Sequence, residues 1–317
     1  MIVSYQSADV IEDCLGSIAP AARGVQLVSI VLADNDSNDA TLERTMARYP
    51  HVKVVRTGGN LGYAAGVNRG HAASAAHDYL LVLNPDTMLE DGAVRQLAEA
   101  LNSSGSAGMA VPRMTDPLGR LSFNLRSWPS VLTAFSEAVL GGRIAGRIGL
   151  GEVVSSPRRY ARPALVDWAT GAAVMISSSC WERLGPWDES FFLYSEETEY
   201  MLRAREAALP VIYVPTAVCR HRGGESGTSP QLWALLMANK VRLFRRSHGR
   251  AGSVAFQALL LGGQALRALG GSRTARAAAR RLARPIPCVE VASGGGAPDR
   301  WPAGPSNRAK PRTGAHG

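Results

Sequence analysis

The feature that most constrains this chain is the alternation of short apolar runs with helical patterns over residues 1–101. Residues 1–4 read as a strand and 10–18 as a helix. Residues 28–33 form an apolar strand, and a polar turn leads into a helix over 40–49. The pattern continues with a strand at 52–55, an Ala-rich helix at 63–76, a strand at 79–83 and a helix at 92–101. Strands separated by helices at this spacing are joined by right-handed crossovers, so they lie parallel in one sheet with helices on both faces. Ligands of such sheets bind beyond the carboxyl ends of the strands, and the turns after the strands are where function is to be sought. The first strand begins at Met1 itself, so either the natural start lies upstream or this edge of the sheet is short.

Residues 114–163 lose the rhythm. They are rich in Gly, Pro, Ser and Arg, with one helix at 131–140, and an excursion of that length in a compact domain is functional or mobile. A strand at 172–176, a helix at 196–207 and a strand at 211–214 follow. Residues 232–248 then give an amphipathic helix with basic residues near its end. Beyond 285 the Gly/Pro/Ser-rich composition predicts disorder. The chain thus divides into a body over 1–228 (halves 1–113 and 164–228 around the excursion 114–163), basic helices over 229–284 and a tail over 285–317.

An apolar content of 46% and a charged content of 19% belong to the soluble globular class. The net charge of +9 is unevenly placed: residues 240–317 hold fifteen Lys/Arg against Glu290 and Asp299, which leaves the remainder mildly acidic. A basic appendage of this kind meets nucleic acid, phospholipid headgroups or a polyanionic substrate, or else is a solvated tail. The four cysteines, Cys14, Cys180, Cys219 and Cys288, are far apart and form no C-x-x-C pair. Reduced thiols in a cytoplasmic protein are therefore expected. No signal peptide is visible. The longest apolar stretch, 253–266, is shorter than the roughly 20 residues a bilayer span needs, but it can lie on a membrane surface.

Five turns carry chemistry-bearing residues. After the second strand, Asp34 and Asn35 stand where a carboxylate or amide can meet a nucleobase or ribose; Asp39 in the same turn suits helix capping equally well. Gly58-Gly59-Asn60-Leu61-Gly62 opens a helix, which favours close backbone approach to a phosphate, but lacks the features of a P-loop or dinucleotide fingerprint. A buried strand delivers Asn84-Pro85-Asp86 into a tight turn, either an ordinary turn or a hard oxygen ligand for a divalent cation. Glu196 and Glu197 follow an aromatic run at a helix start, suited to general-base work or to complementing the helix dipole. His221 stands in a strand-exit loop, as a structural residue or a metal ligand.

In this order the segments resemble the inverting family 2 glycosyltransferases over roughly residues 1–248. The match runs through Val3-Ser4-Tyr5, Ala33-Asp34-Asn35, Asn60-Leu61-Gly62 to Asn68, and Asn84-Pro85-Asp86. It continues through Asp167-Trp168, Gly185-x-Trp187-Asp188-Glu189, Glu196-Glu197 and His221-x-Gly223-Gly224. Asn84-Pro85-Asp86, Asp116-Pro-x-Gly119-Arg120, Arg126-x-x-Pro129-Ser130 and the basic carboxyl end are most similar to bacterial rhamnosyltransferases, and Leu32-Ala-Asp-Asn35 with Thr57-Gly-Gly-Asn-Leu-Gly-Tyr63 resemble those acting on polyprenyl-diphosphate-linked sugars. The resemblance implies a GT-A fold: α/β, with a mostly parallel Rossmann-like sheet flanked by helices and here a helical basic carboxyl-terminal extension.

For the site, the resemblance implies donor contacts from Ser4, Tyr5, Asp34, Asn35, Asn60, Gly62, Asn68 and Asn84. It implies Mn²⁺ or Mg²⁺ on Asp86 and His221, acceptor contacts from Arg126, Asp167 and Trp168, and Glu197 or Glu196 as base. The implied donor is a nucleotide sugar, dTDP-L-rhamnose. The implied acceptor is a polyprenyl-linked glycan at an anionic membrane surface, which makes the enzyme peripheral to the inner face of the plasma membrane. Self-association is compatible with this reading. Two residues depart from the family pattern. Asn84 replaces the first metal-motif acid, and Glu197 stands where relatives have Asp. The rivals are another nucleotide-sugar donor, a degenerate homologue, and a nucleotidyltransferase, which would want a triphosphate loop that Tyr5-Gln6-Ser7-Ala8 lacks. A nucleic-acid-binding protein is disfavoured by the acidic body, so no nucleic-acid partner is expected.

Overall fold

The computed structural model describes residues 1–223 and 229–287. Gly224 of the last motif, Cys288 and, from 288 onward, the tail expected to be disordered over 285–317 lie outside the described residues.

The predicted α/β units form in order: β1 (Ile2–Ser4), α1 (Ile11–Ala21), β2 (Val31–Asp34), α2 (Thr41–Arg48), β3 (Lys53–Arg56), α3 (Tyr63–Ala72) and β4 (Tyr79–Leu83). A short β5 (Thr87–Leu89) then precedes α4 (Ala93–Ser104). The four long-separated strands pair in parallel in the order β3-β2-β1-β4. β1 is therefore interior, not the short edge that its place in the sequence suggests. β2 begins at Val31 rather than 28, because Leu27 and Val28 are exposed; an apolar run shows burial tendency, not where a ladder starts.

The second half is less regular. β6 (Met109–Thr115), with Pro112 inside it, falls where no strand is expected from the sequence. The proline is tolerated because β10 (Ala173–Ser177) pairs with β6 only through Met109 and Ala110, leaving Pro112 beyond that ladder. β10 runs antiparallel to both β4 and β6. β11 (Val211–His221) continues past the expected end at 214 through a bulge between Val214 and Val218. It pairs in parallel with β6 and antiparallel with β5. The excursion is structured too, with β7 (Leu125–Arg126), α5 (Val131–Leu140) and α6 (Gly142–Arg147); just after it β8 (Ala164–Val166) pairs with β11 and β9 (Trp168–Ala169) with β7. α7 (Ser178–Leu184) and α8 (Glu196–Glu206) complete the body.

One face of the sheet packs on α1 and α4 through Ile11, Leu15, Ile18, Leu97 and Leu101; the other packs on α3, α7 and α8 through Val67, Trp181, Tyr200 and Met201. Burial of these side chains supplies the main driving force for the layered arrangement. α9 (Pro230–Ser247), α10 (Arg250–Leu269) and α11 (Arg273–Leu282) close a third cluster around Val241, Phe244, Phe256, Leu260 and Ala278, which also takes in Ala134 of α5. The 253–266 stretch, expected on a membrane surface, thus turns Phe256 and Leu260 inward against α9, its Gly263 against Ala138, and leaves Val254 and Leu266 outside. Among the described residues no helix is long and apolar enough to cross a membrane.

Candidate active site

The parallel strands end on one side of the sheet, and their last residues bring the predicted donor residues together. Ser4 and Asp34 end β1 and β2 as register partners. The buried Asp34 carboxylate accepts from Ser4 Oγ at 2.8 Å, from the Ser37 hydroxyl at 2.6 Å and from the Ser37 N–H at 2.9 Å. Asn35 donates its side-chain amide to the Gly62 carbonyl at 2.9 Å, while its own buried Oδ1 has no partner among the described residues. Tyr5 is exposed at the rim. Asp39 is occupied structurally, accepting from the Ala8 N–H at 3.0 Å and from Thr41.

Gly62 connects the donor side to the acidic pair. At φ +92° it takes a left-handed conformation, and a Cβ there would stand 2.3 Å from the Phe192 carbonyl oxygen, so the loop lies flat on the segment leading to α8. The Tyr63 N–H donates to that same carbonyl at 2.8 Å. Asn60 Oδ1 accepts from the Gly62 N–H at 3.3 Å. Asn68 exchanges two hydrogen bonds of 2.9 Å with the Trp187 backbone and donates to Glu189, so the structure gives it the work of a joint between α3 and the Trp187–Glu189 segment.

β4 delivers Asn84, whose N–H donates to the Ala172 carbonyl at 2.9 Å and whose carbonyl accepts from the Thr87 N–H at 3.2 Å. The turn they close presents Asp86. Thr87 pairs with His221 across β5 and β11, which places His221 Nε2 3.2 Å from Asp86 Oδ1, with the Gly223 N–H donating to Oδ2 at 3.1 Å. Burial works to raise the Asp86 pKa, but the His221 hydrogen bond and charge and the Gly223 amide prevail and hold it below the usual carboxylate value. Two ligand atoms side by side on an octahedral cation, each about 2.1 Å from it, lie about 3 Å apart. The Asp86–His221 pair fits that spacing. Among the described residues no group of three or more His, Cys, Asp or Glu is placed to hold a metal ion.

The third element is the start of α8. Tyr194 and Ser195 are both left-handed, at φ +69° and +75°, a strained pair that turns the chain sharply into the helix. Asn239 of α9 braces it by donating to the Leu193 carbonyl at 2.9 Å and the Tyr194 carbonyl at 3.2 Å. Glu196 is buried and Glu197 half-buried, and each leaves an Oε2 without a partner among the described residues. Burial, then the neighbouring Glu197 charge, pushes Glu196 well above the ordinary carboxylate range; burial also raises Glu197, against the Gly171 N–H and Arg126. The Tyr63 hydroxyl, donating to the Gly171 carbonyl at 3.4 Å, is pushed up by burial and by Glu196, Glu197 and Asp86, which marks it as the side chain between the acidic pair and the Asp86 turn.

Beside Glu197 lies a pocket lined by Pro129, Trp168, Ser195, Lys240 and Leu243. Arg126 and Trp168 are register partners on the β7–β9 ribbon. The guanidinium carbon stands 6.0 Å from the Trp168 ring centre, and the Trp168 indole N–H is held by the Ser127 carbonyl at 3.0 Å. Asp167 instead faces solvent and accepts from the Trp128 N–H at 3.2 Å. Sequence reasoning missed Tyr63, Asn239 and the Lys240–Glu152 ion pair of 2.7 Å at this pocket. Tyr63 directly follows the glycine turn and was open to discovery; nothing near Asn239 or Lys240 in sequence points to the site.

A model of the family described as "Glycosyltransferase like family 2" matches residues 1–244. An N-acetylglucosaminyl-diphospho-decaprenol L-rhamnosyltransferase of Mycobacterium tuberculosis is 31% identical over 239 residues, covering 72% of this chain and 77% of the relative. The structure of GalNAc-T7 with UDP, GalNAc and Mn²⁺ superposes with a TM-score of 0.57 at 17% identity, over 77% of this chain and 46% of that one. Glucosyl-3-phosphoglycerate synthase of Mycobacterium tuberculosis, in complex with Mn²⁺, UDP and glucosyl-3-phosphoglycerate, gives a TM-score of 0.51 at 16% identity, over 77% of each chain. These structures share the mixed α/β GT-A fold with the chain described above.

Proposed function

This chain belongs to glycosyltransferase family 2, and we propose that it is an inverting rhamnosyltransferase moving L-rhamnose from dTDP-L-rhamnose onto a hydroxyl of a polyprenyl-diphosphate-linked glycan. The observation that supports the mechanism is the half-buried Glu197, which lines a small pocket beside Trp168 and keeps a buried carboxylate oxygen unpartnered among the described residues. The named activity of the mycobacterial relative supports the choice of sugar and acceptor.

In this reading Asn35, with its unpartnered Oδ1, and Asp34, held by Ser4 and Ser37, read the nucleoside. Asp86 and His221 hold the divalent cation. When bound, that cation offsets the charge of the departing diphosphate. The family's donor loop, Asn60 to Gly62, borders the diphosphate, and Asn84 lends an amide beside it. Trp168 and Arg126 orient the acceptor, Arg126 supplying the positive charge that suits its phosphate. Glu197 takes the proton from the acceptor hydroxyl, whose oxygen bonds to the anomeric carbon from the face opposite the diphosphate. The bond from that carbon to the diphosphate oxygen breaks, configuration inverts, and nucleoside diphosphate leaves. The raised pKa of Glu197 makes it a stronger base than an exposed carboxylate. Work on a lipid-linked acceptor places the enzyme at the inner face of the membrane, where its basic carboxyl-terminal helices meet anionic lipid.

The test is a panel of nucleotide sugars screened by thermal shift with and without Mn²⁺, followed by mass spectrometry of the product on N-acetylglucosaminyl diphosphoryl-polyprenol. Metal-dependent stabilisation by dTDP-L-rhamnose and a product heavier by one deoxyhexose are expected. Stabilisation by a different nucleotide sugar alone would overturn the choice of donor.

A further inference from the structure

We propose that the exposed face of α5 and α6 is the surface on which this protein seats against an anionic lipid bilayer, delivering the acceptor's headgroup to the Glu197 pocket. The inference rests on the lipid-linked acceptor proposed above. Leu132, Phe135, Val139, Ile144 and Ile148 are each between 52% and 64% exposed. On α5 the first three fall at helical spacing, turned away from the buried Ala134. On α6 and at its end the apolar residues follow exposed arginines: Arg143 precedes Ile144 in the helix, and Arg147 precedes Ile148, the residue just after it. Large apolar side chains left in water in a contiguous stretch mark an interaction surface rather than chance exposure.

The flanking charge identifies the partner. Glu137 is the one acid in residues 131–150, and its carboxylate is turned inward to accept from the Glu152 N–H at 2.8 Å. Arg267 of α10, exposed beside Leu266, donates to the Glu137 carbonyl at 3.1 Å and so adds a third cation at this face. Apolar residues interleaved with arginine and free of outward acid suit the boundary between acyl chains and anionic headgroups, whereas a protein partner would not require one sign of charge.

Position argues the same way. Ser130 caps α5, its hydroxyl accepting from the Thr133 N–H at 3.0 Å, and Pro129 immediately before it lines the pocket beside Glu197 and Trp168. The apolar face therefore starts at the rim of the acceptor pocket. A bilayer against α5 brings the headgroup end of an embedded polyprenyl chain to that rim. The 253–266 segment cannot serve equally, because Phe256 and Leu260 are already buried inside the helical cluster.

The full chain is mixed with vesicles of phosphatidylcholine containing about a third phosphatidylglycerol and sedimented, beside the variant Phe135→Ser, Val139→Ser, Ile148→Ser. Loss of roughly tenfold in vesicle binding with an unchanged melting temperature is expected, because these side chains contact lipid and not the core. Arg143→Ala with Arg147→Ala should weaken binding to the anionic vesicles alone. Unchanged binding in the triple variant overturns the proposal, as does loss seen only in Arg276→Ala with Arg280→Ala on α11. A wild-type dimer that the triple variant converts to monomer, without vesicle binding in either, assigns the face to a second copy and equally overturns it. Transfer to a short-chain, water-soluble acceptor should be the same in wild type and variant. Its absence in both, with vesicle binding behaving as expected, refutes the acceptor assignment and leaves the lipid seat standing.

Discussion

His221 Nε2 lies 3.2 Å from Asp86 Oδ1, and the contact exists because β5 returns antiparallel along the last residues of β11. Asp86→Ala should abolish the Mn²⁺-dependent thermal stabilisation by donor and lower kcat/KM by at least about a hundredfold. His221→Ala should weaken the same response less, since Asp86 carries the charge. A metal-dependent shift that survives Asp86→Ala sinks the assignment.

Glu197 lines the small pocket beside Trp168, whereas Glu196 turns into the interior. Glu197→Gln should lower kcat by about 10² to 10⁴ with little change in donor binding, the range for loss of a general base. Glu196→Gln should cost less. The reverse order in steady-state kinetics would make Glu196 the base.

The acid limb of the rate profile should lie above the ordinary carboxylate value of 4.5, because burial raises Glu197 and the base must be ionised. Arg126 favours the ionised form, so Arg126→Gln should move that limb to still higher pH. Glu196 has a consequence for stability. Its folded form keeps a proton that the unfolded chain releases above about 4.5, so its contribution declines as pH rises from that value through the raised folded pKa. Glu196→Gln should therefore raise the melting temperature at neutral pH and leave it unchanged below pH 4.5.

Gly62→Ala would set a Cβ 2.3 Å from the Phe192 carbonyl oxygen at a left-handed φ. A loss of roughly 1–3 kcal/mol from backbone strain alone is expected, with weaker donor binding as the loop lifts. Calorimetry on the variant checks the first and titration the second.

Asn239→Ala removes the two hydrogen bonds that brace the strained Tyr194–Ser195 turn, without touching substrate. Activity at saturating donor should fall while donor KM stays constant, and Asn239→Asp, which keeps the shape but not the donor N–H, should not restore it. A parallel loss in donor affinity would show that Asn239 acts elsewhere.

The amino half of the fold was legible because its residues act locally. The helical periodicity and the short apolar runs of the first hundred positions mark helices and buried strands, and parallel pairing follows from the crossovers. β6 was not legible, since Pro112 is forbidden in a generic strand interior and admitted here only because the β10 ladder stops short of it. Nor was the fate of 253–266. An apolar stripe fits a membrane and a neighbouring helix alike, and α9 decides between them.

The sequence by itself determined the family, the α/β sheet and the candidate chemistry of Asp34, Asp86, Glu197 and His221, because residue type and strand-end position are local properties. Only the tertiary structure decided which of these groups meet. The Asp86–His221 spacing depends on a β5–β11 register, the bearing of Glu197 on a strained turn braced from α9, and the free apolar face of α5 and α6 on which surfaces the other helices left uncovered. Those are relations between distant segments, fixed by packing, and no local pattern encodes them.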